Sequence, residues 1–338
     1  VNFKANLEEF RMHLKILTGA DVAALVPMSV AIDAVAQAYA AIARGSAEVP
    51  LRLDIAQSPH QSHTFFMPAI IDEQSLGMKI VSVFPHNQTR FQAPTIHAIV
   101  MLIEANTGRP LALLDGTYLT VLRTGAASGV ATRLLARPDS RHLVIIGAGA
   151  QAWAQVVAVC AVRPITQVTI VNRTRERAEA LKARLATLIP SIPVAITADR
   201  SSALAHADVV CLATSAKTPV FADSEIRPGT HINGIGSFTH TMIEADPQTL
   251  GRAVVAVDQH AAAWSEAGEL IAARDQGLLT PEQVVEIGAI ANATAPGRTR
   301  PDQITFFKSV GNAAQDVVVA HLAYQAAMEQ SKGQDVDL

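Results

Sequence analysis

Cysteine is almost missing from this chain of 338 residues: Cys160 and Cys211 are the whole complement, and no C-x-x-C spacing joins them. That excludes a disulfide framework and leaves two buried free thiols as the reading. Charge is also scarce, at 17% Asp, Glu, Lys and Arg with a formal net charge of −3. No Lys/Arg block stands out, which argues against nucleic acid and against an anionic membrane surface as partners. No run reaches the roughly 18 uninterrupted apolar residues of a membrane span, and the first residues lack the basic, apolar and small-residue order of a signal peptide. A soluble, cytoplasmic protein with no membrane partner is expected. His86 and His97 offer no metal-ligand spacing, so no metal is expected either. No internal repeat or low-complexity stretch is visible. What the chain does have is apolar residues, 49% of the total. That is enough for large cores in two domains of roughly 100 to 200 residues each.

The most informative stretch runs from His142 to Thr174. Leu143 to Ile146 is a short β-branched run, Gly147-Ala148-Gly149-Ala150-Gln151-Ala152 reads as G-x-G-x-x-A, and an Ala/Val-rich helix follows to about Val162. A second apolar run, Gln167 to Val171, closes a βαβ unit of the kind that binds a dinucleotide. Gly147 permits the tight turn, Gly149 lets backbone amides approach the pyrophosphate, and Ala152 lets the helix pack close to the strand. The helix N-terminus then faces the phosphates with its partial positive charge. An NAD site places an acid about 20 residues past the glycines, whereas a 2′-phosphate needs cations there. Here the segment is Asn172-Arg173-Thr174-Arg175. The expectation is NADPH, with NADH less favoured; the alternative for Arg173 is a charged, solvated helix start.

The rest of the chain fits around this unit. Residues 1–11 read as an extension before Met12. A short strand and a helix start follow, then an amphipathic helix from Ser29 to Arg44 that ends near Gly45. Strands are expected over Val49 to Asp54, Thr64 to Ala69, Leu76 to Phe84, Thr95 to Ile103 and Pro110 to Leu114, forming a mostly antiparallel or mixed sheet. Asp115 to Ala136 reads as one long helix whose small residues, Thr124 to Gly129, permit close packing. Alternating helices and strands then continue through Val194, Val209, Gly229 and Ala253, which predicts a parallel sheet covered on both faces. From Ala261 the chain reads as helical and partly exposed, and after a loop at 293–302 come a strand or turn over Ile304 to Gly311 and a helix from Asn312 to about Met328. The fold class is therefore α/β: a Rossmann-type parallel-sheet domain over 126–311 and a mixed α/β domain over 12–125 with 312–330. Residues 1–11 and 331–338 are expected to be flexible ends.

Outside the nucleotide unit, three cations stand in apolar surroundings: Arg52 after Pro50-Leu51, Lys79 in LGMKIVSVF, and Arg123 beside Thr124. An unpaired buried cation costs several kcal/mol, so each needs an anion from protein or ligand. Together they suggest a carboxylate pocket. Arg52 and Arg123 suit bidentate carboxylate binding, and Lys79 is the one whose pKa is readily lowered for proton exchange. The alternative for any one of them is pairing with a nearby acid, such as Asp54 for Arg52.

The segments LGMKIVSVFPHN, LLDGTYLTVLRTGAASGVAT, IIGAGAQA, THINGIGS and FKSVGNAAQD, spread over nearly all of the chain from Met12 onward, resemble the ornithine cyclodeaminase and mu-crystallin family. The resemblance implies a first domain that binds substrate and forms a homodimer, and a Rossmann domain that holds the cofactor. It places the substrate carboxylate on Arg52, Lys79 and Arg123. It places the cofactor on Arg123, Thr124, Gly147, Ala148, Gly149, Ala150, Gln151, Asn172, Arg173, Thr174, Thr214, Ser215 and the Ser309-Val310-Gly311 turn. Asn172-Arg173-Thr174 is similar to the NADPH-using mu-crystallin branch. Cyclodeaminases and related alanine dehydrogenases carry an Asp shortly after the Ile-Asn-x-x-Gly strand; that place here is Phe238, which cannot exchange a proton. His240 is a weak substitute. Members without that Asp are similar to ketimine reductases, so the resemblance implies NADPH-dependent reduction of Δ1-pyrroline-2-carboxylate or Δ1-piperideine-2-carboxylate, with Lys79 as proton donor or carboxylate ligand. The alternatives are ornithine cyclodeamination on bound NAD, or ligand binding without catalysis.

Overall fold

A computed structural model describes residues 13–337. The extension read over residues 1–11 lies outside the described residues. The chain divides into two compact units: Arg44–Arg123 and Asn312 onward join the segment ending at Ala34 in the first, while Val35–Ala43 and Thr124–Gly311 make the second.

In chain order the elements are β1 (His13–Leu17), α1 (Gly19–Leu25), α2 (Met28–Arg44), β2 (Ala47–Glu48), β3 (Leu53–Gln57), β4 (Ser62–Ile71) and β5 (Ser75–Val83). Then come α3 (Asn87–Phe91), β6 (Ile96–Glu104), β7 (Pro110–Asp115) and α4 (Gly116–Leu135). The second unit continues with β8 (His142–Ile146), α5 (Ala152–Val162), β9 (Gln167–Val171), α6 (Arg175–Leu188), β10 (Val194–Thr197), α7 (Arg200–Ala205), β11 (Val209–Leu212) and β12 (His231–Gly234). It ends with α8 (Pro247–Arg252), β13 (Ala253–Val257), α9 (His260–Glu266), α10 (Gly268–Asp275), β14 (Val284–Glu286), α11 (Ile287–Ala291) and β15 (Ile304–Lys308). The chain closes with α12 (Ala313–Glu329) and β16 (Gln334–Asp337) in the first unit.

The first unit is a mixed sheet in the order β16-β1-β7-β6-β5-β4-β2, with β3 also paired to β4. β1 and β7 run parallel and the other pairs antiparallel. Period-2 alternation gives the sheet two unlike faces. Phe65, Met67, Val81, Val100, Leu102 and Leu114 are buried on the face that α12 packs on, and each such Val or Leu contributes ~1.5–3 kcal/mol. The register sets Met67 opposite Lys79 and Lys79 opposite Val100, so Lys79 lies on that buried face. Ile99 and Leu53, on exposed positions, stay 48% and 62% accessible.

The second unit is a wholly parallel sheet in the order β10-β9-β8-β11-β12-β15-β13-β14. This is the Rossmann-type α/β architecture, and the order reverses between β8 and β11. Strands β11, β12 and β15 are buried at every position, because helices cover both faces of a parallel sheet and leave no solvent side.

Three expectations need correction. The strand read over Val49 to Asp54 starts only at Leu53, as β3, because Pro50 brings no amide to a ladder. The polar tail, expected to be flexible, instead pairs as β16 along the free edge of β1, where Asp335 meets the buried Lys15 at 2.8 Å. The segment from Ala261 holds not only helix but also the short strand β14, which pairs with β13.

Candidate functional site

In the first unit one acidic side chain gathers two of the three cations singled out above. Lys79 Nζ lies 2.7 Å from Asp316 Oδ2, and Arg123 Nε donates to Asp316 Oδ1 at 3.0 Å. Arg123 Nη1 also donates to Gln315 Oε1. Lys79 is 1% exposed, Arg123 6% and Asp316 0%. Two cations share a single carboxylate, so one positive charge is left over in a buried place. Such a surplus is relieved by an anionic ligand or by loss of a proton. An ammonium has three donors, and among the described residues Lys79 Nζ is engaged by Asp316 alone. Burial, then the Arg123 charge, bring the Lys79 pKa down to about 7; Asp316 opposes them and Arg52 adds to the lowering.

Arg52 differs from the expectation that placed it in an apolar strand. It lies in the irregular segment before β3, half-buried, with its guanidinium 4.6 Å from the centre of the Phe65 ring. Its charge reaches Lys79, but it is not held by Asp316 in the way Arg123 is.

Asp316 and Gln315 were not singled out from sequence. The signal was present: an acid in the first turn of an Ala/Val-rich helix, where Asn312 caps the end and Ala313, Val317 and Ala320 are buried around it. An acid on such a face requires a buried cation.

In the second unit the glycine turn has the shape expected of it. Gly147 adopts φ +104°, and a Cβ there would fall 2.4 Å from Ala213 O. At Gly149 a Cβ would meet nothing nearer than Ala213 O at 3.9 Å, so open space adjoins the loop backbone. Ala148 N donates to Asn172 Oδ1 at 3.1 Å, and Asn172 Nδ2 donates to Thr174 O at 2.7 Å, which ties the loop after β8 to the end of β9. Ala150 sits in the turn entering α5. Gln151 precedes that helix without capping it, and its buried Oε1 has no hydrogen-bond partner among the described residues. An uncapped helix start, a loop without obstructing side chains and an unpartnered buried acceptor fit a dinucleotide pyrophosphate and its ribose hydroxyls. Arg173 and Thr174 are exposed at the end of β9, and Arg173 makes no ion pair among the described residues.

Thr124 is buried within α4, and Ser215 is exposed just after β11. Thr214 turns its hydroxyl to the buried Glu244, donating to Oε1 at 2.9 Å. Val310 and Gly311 are buried, and Gly311 N donates to Asp258 Oδ2 at 2.7 Å. Neither Glu244 nor Asp258 was found from sequence; single acids in Ile/Ala/Val-rich surroundings were the available sign. Phe238 is half-buried and His240 exposed. His86 Nε2 bonds Gln61, His97 is exposed on β6, and no group of three or more metal-ligating side chains occurs among the described residues. No single helix among them is long and apolar enough to cross a membrane.

Comparison with known proteins identifies the family and related chains. A family model described as the ornithine cyclodeaminase/mu-crystallin family matches residues 12–331. A Delta(1)-pyrroline-2-carboxylate reductase of Bacillus cereus is 39% identical over 308 residues, covering 89% of this chain and 94% of that protein. The structure of Thermococcus litoralis Delta(1)-pyrroline-2-carboxylate reductase in complex with NADH and L-proline superposes with a TM-score of 0.91 at 35% identity, covering 96% of this chain and 100% of that one. An archaeal alanine dehydrogenase dimer with bound NAD gives 0.89 at 31% identity, with 96% and 99% coverage.

Proposed function

The chain belongs to the ornithine cyclodeaminase/mu-crystallin family, and from that premise we propose that it reduces the C=N bond of a cyclic ketimine carboxylate with a reduced nicotinamide dinucleotide. Δ1-Pyrroline-2-carboxylate, giving L-proline, is the first substrate and Δ1-piperideine-2-carboxylate, giving L-pipecolate, the second. The observation that carries this reading is the buried surplus of positive charge at Lys79 and Arg123 around Asp316, with a lysine titrating at about 7. The relatives' names supply the reaction class.

The bound dinucleotide would supply the hydride. Gly147 to Gln151 would hold its pyrophosphate, and Asn172 to Thr174 its adenosine ribose. Arg52 and Arg123 bind the substrate carboxylate, and with it the ring is fixed in position. Lys79 gives the ring nitrogen its proton. The ammonium form is the acid, and a pKa of about 7 keeps it both populated and willing to transfer near neutral pH. Imine, hydride and proton then account for the amine product. Phe238 provides no ionisable group for handling ammonia, which weighs against cyclodeamination.

NADPH is the assigned donor on the strength of Asn172-Arg173-Thr174, an exposed basic segment without an acid. A homodimer is assigned because Leu53, Ile55 and Ile99 leave an apolar sheet face open to solvent in the first unit. Light scattering should return twice the chain mass, and a monomer at micromolar concentration would refute that assignment.

The test of function is absorbance-monitored oxidation of NADPH with each imine in turn, NADH serving as the parallel donor. Consumption with stoichiometric L-proline or L-pipecolate supports the proposal. No consumption with either imine and either donor would overturn it.

A further inference from the structure

A dinucleotide in this fold straddles the point where strand order reverses, here between β8 and β11. The adenosine half falls on the β9 side, where the ribose-reading residues stand. The nicotinamide half then falls toward the ends of β11, β12 and β15.

Glu244 lies behind those ends, 0% exposed. Its Oε1 accepts from Thr214 N at 2.6 Å and Thr214 Oγ1 at 2.9 Å, just past β11. Its Oε2 accepts from Gly236 N at 2.6 Å and Ser237 N at 2.9 Å, just past β12. All four partners are donors, so the group serves as a carboxylate and its oxygens are occupied. The fit is close: a Cβ at Gly236 would stand 2.2 Å from Thr214 O and 2.6 Å from Glu244 Oε1. Asp258 holds the end of β15 in a similar way, accepting from Ser309 Oγ at 2.8 Å and Gly311 N at 2.7 Å.

We propose that Glu244 is a positioning residue for the nicotinamide half of the cofactor, fixing the turns after β11 and β12 on which that half rests while leaving the adenosine half to the β8–β9 loops. The inference rests on the dinucleotide reading above. A glutamine cannot replace the acid, because its amide N–H groups would face backbone N–H groups.

The experiment compares two ligands by equilibrium titration: the reduced dinucleotide that wild type prefers, and the matching ADP-ribose, which lacks nicotinamide. Glu244→Gln should weaken the dinucleotide about tenfold and leave the ADP-ribose within about twofold. The control is Asp208→Asn, since Asp208 is a buried acid of the same unit that binds the Arg141 and His142 amides at the start of β8. It should change neither constant. If Glu244→Gln fails to fold, Glu244→Asp, whose shorter carboxylate cannot span both turns, should show the same selective loss. Equal weakening of both ligands, or of neither, overturns the inference. Wild type that binds neither ligand would instead refute the dinucleotide reading itself.

Discussion

The two units each bury a charge cluster, and the two clusters are built with opposite surpluses. In the first, Lys79 and Arg123 outnumber Asp316. In the second, Glu244, Glu269 and Asp258 outnumber Lys308, whose Nζ lies 3.0 Å from Glu269 Oε1 and donates to Ser237 O at 2.7 Å. Burial acts on both as desolvation requires, pulling the Lys79 pKa down and pushing those of Glu244 and Asp258 up. The difference lies in what satisfies the excess. The acids of the second unit are filled by backbone amides and hydroxyls, so their charge shapes turns. Lys79 keeps donors in hand, so its charge is available to a ligand. A buried surplus whose hydrogen bonds are complete is architecture; one whose hydrogen bonds are incomplete is a candidate for binding an anion.

The change expected to break this comparison most severely is Lys79→Ala. Losing the proton donor should lower kcat for imine reduction by about a hundredfold or more, with the dissociation constant of the dinucleotide little changed. Steady-state kinetics and a binding titration check it, and turnover close to wild type would remove Lys79 from the chemistry. Asp316→Asn comes next. It leaves two buried cations without their anion, a loss of about 3–5 kcal/mol in unfolding free energy, read by denaturant titration. It also acts on pH. With protonated Lys79 as the proposed acid, kcat/KM of wild type should fall as pH rises through about 7. Asp316 raises the Lys79 pKa, so its removal moves that alkaline limb to lower pH. A limb that stays in place would show that another group titrates there.

The legibility of the two clusters in the sequence follows the same line. The parallel sheet announced itself through β-branched runs such as Leu143 to Ile146 and Val168 to Val171, because strands buried on both faces carry no polar alternation. Lys79 and Arg123 were visible as cations out of place. Asp316 escaped notice because an acid near a helix N-terminus has an ordinary explanation in the helix dipole; only the register of β5 beneath α12 shows that it is buried against Lys79. Glu244 and Asp258 escaped for a different reason. Most of their partners are backbone amides, which nearly every residue has, so no side-chain pattern records them. β16 was missed because pairing along an open edge depends on the free strand β1, and its polar residues resemble a solvated tail.

Arg173 is the third kind of cation in the molecule, exposed rather than buried, and the smallest effect is expected there. It stands after β9 with no ion pair among the described residues, where a 2′-phosphate would meet it. Water and salt screen such a contact, so its worth is well below that of the Lys79 cluster. Arg173→Ala should reduce kcat/KM for NADPH by about fivefold relative to NADH, and the difference should shrink as ionic strength rises. The ratio of the two donors, measured in one buffer series, decides the matter. A loss shared equally by NADH and NADPH would assign Arg173 to stacking on adenine, since that surface is common to both donors. No change with either would leave the exposed segment without a role in choosing the donor, and the preference would then rest on groups that read the ribose hydroxyls directly.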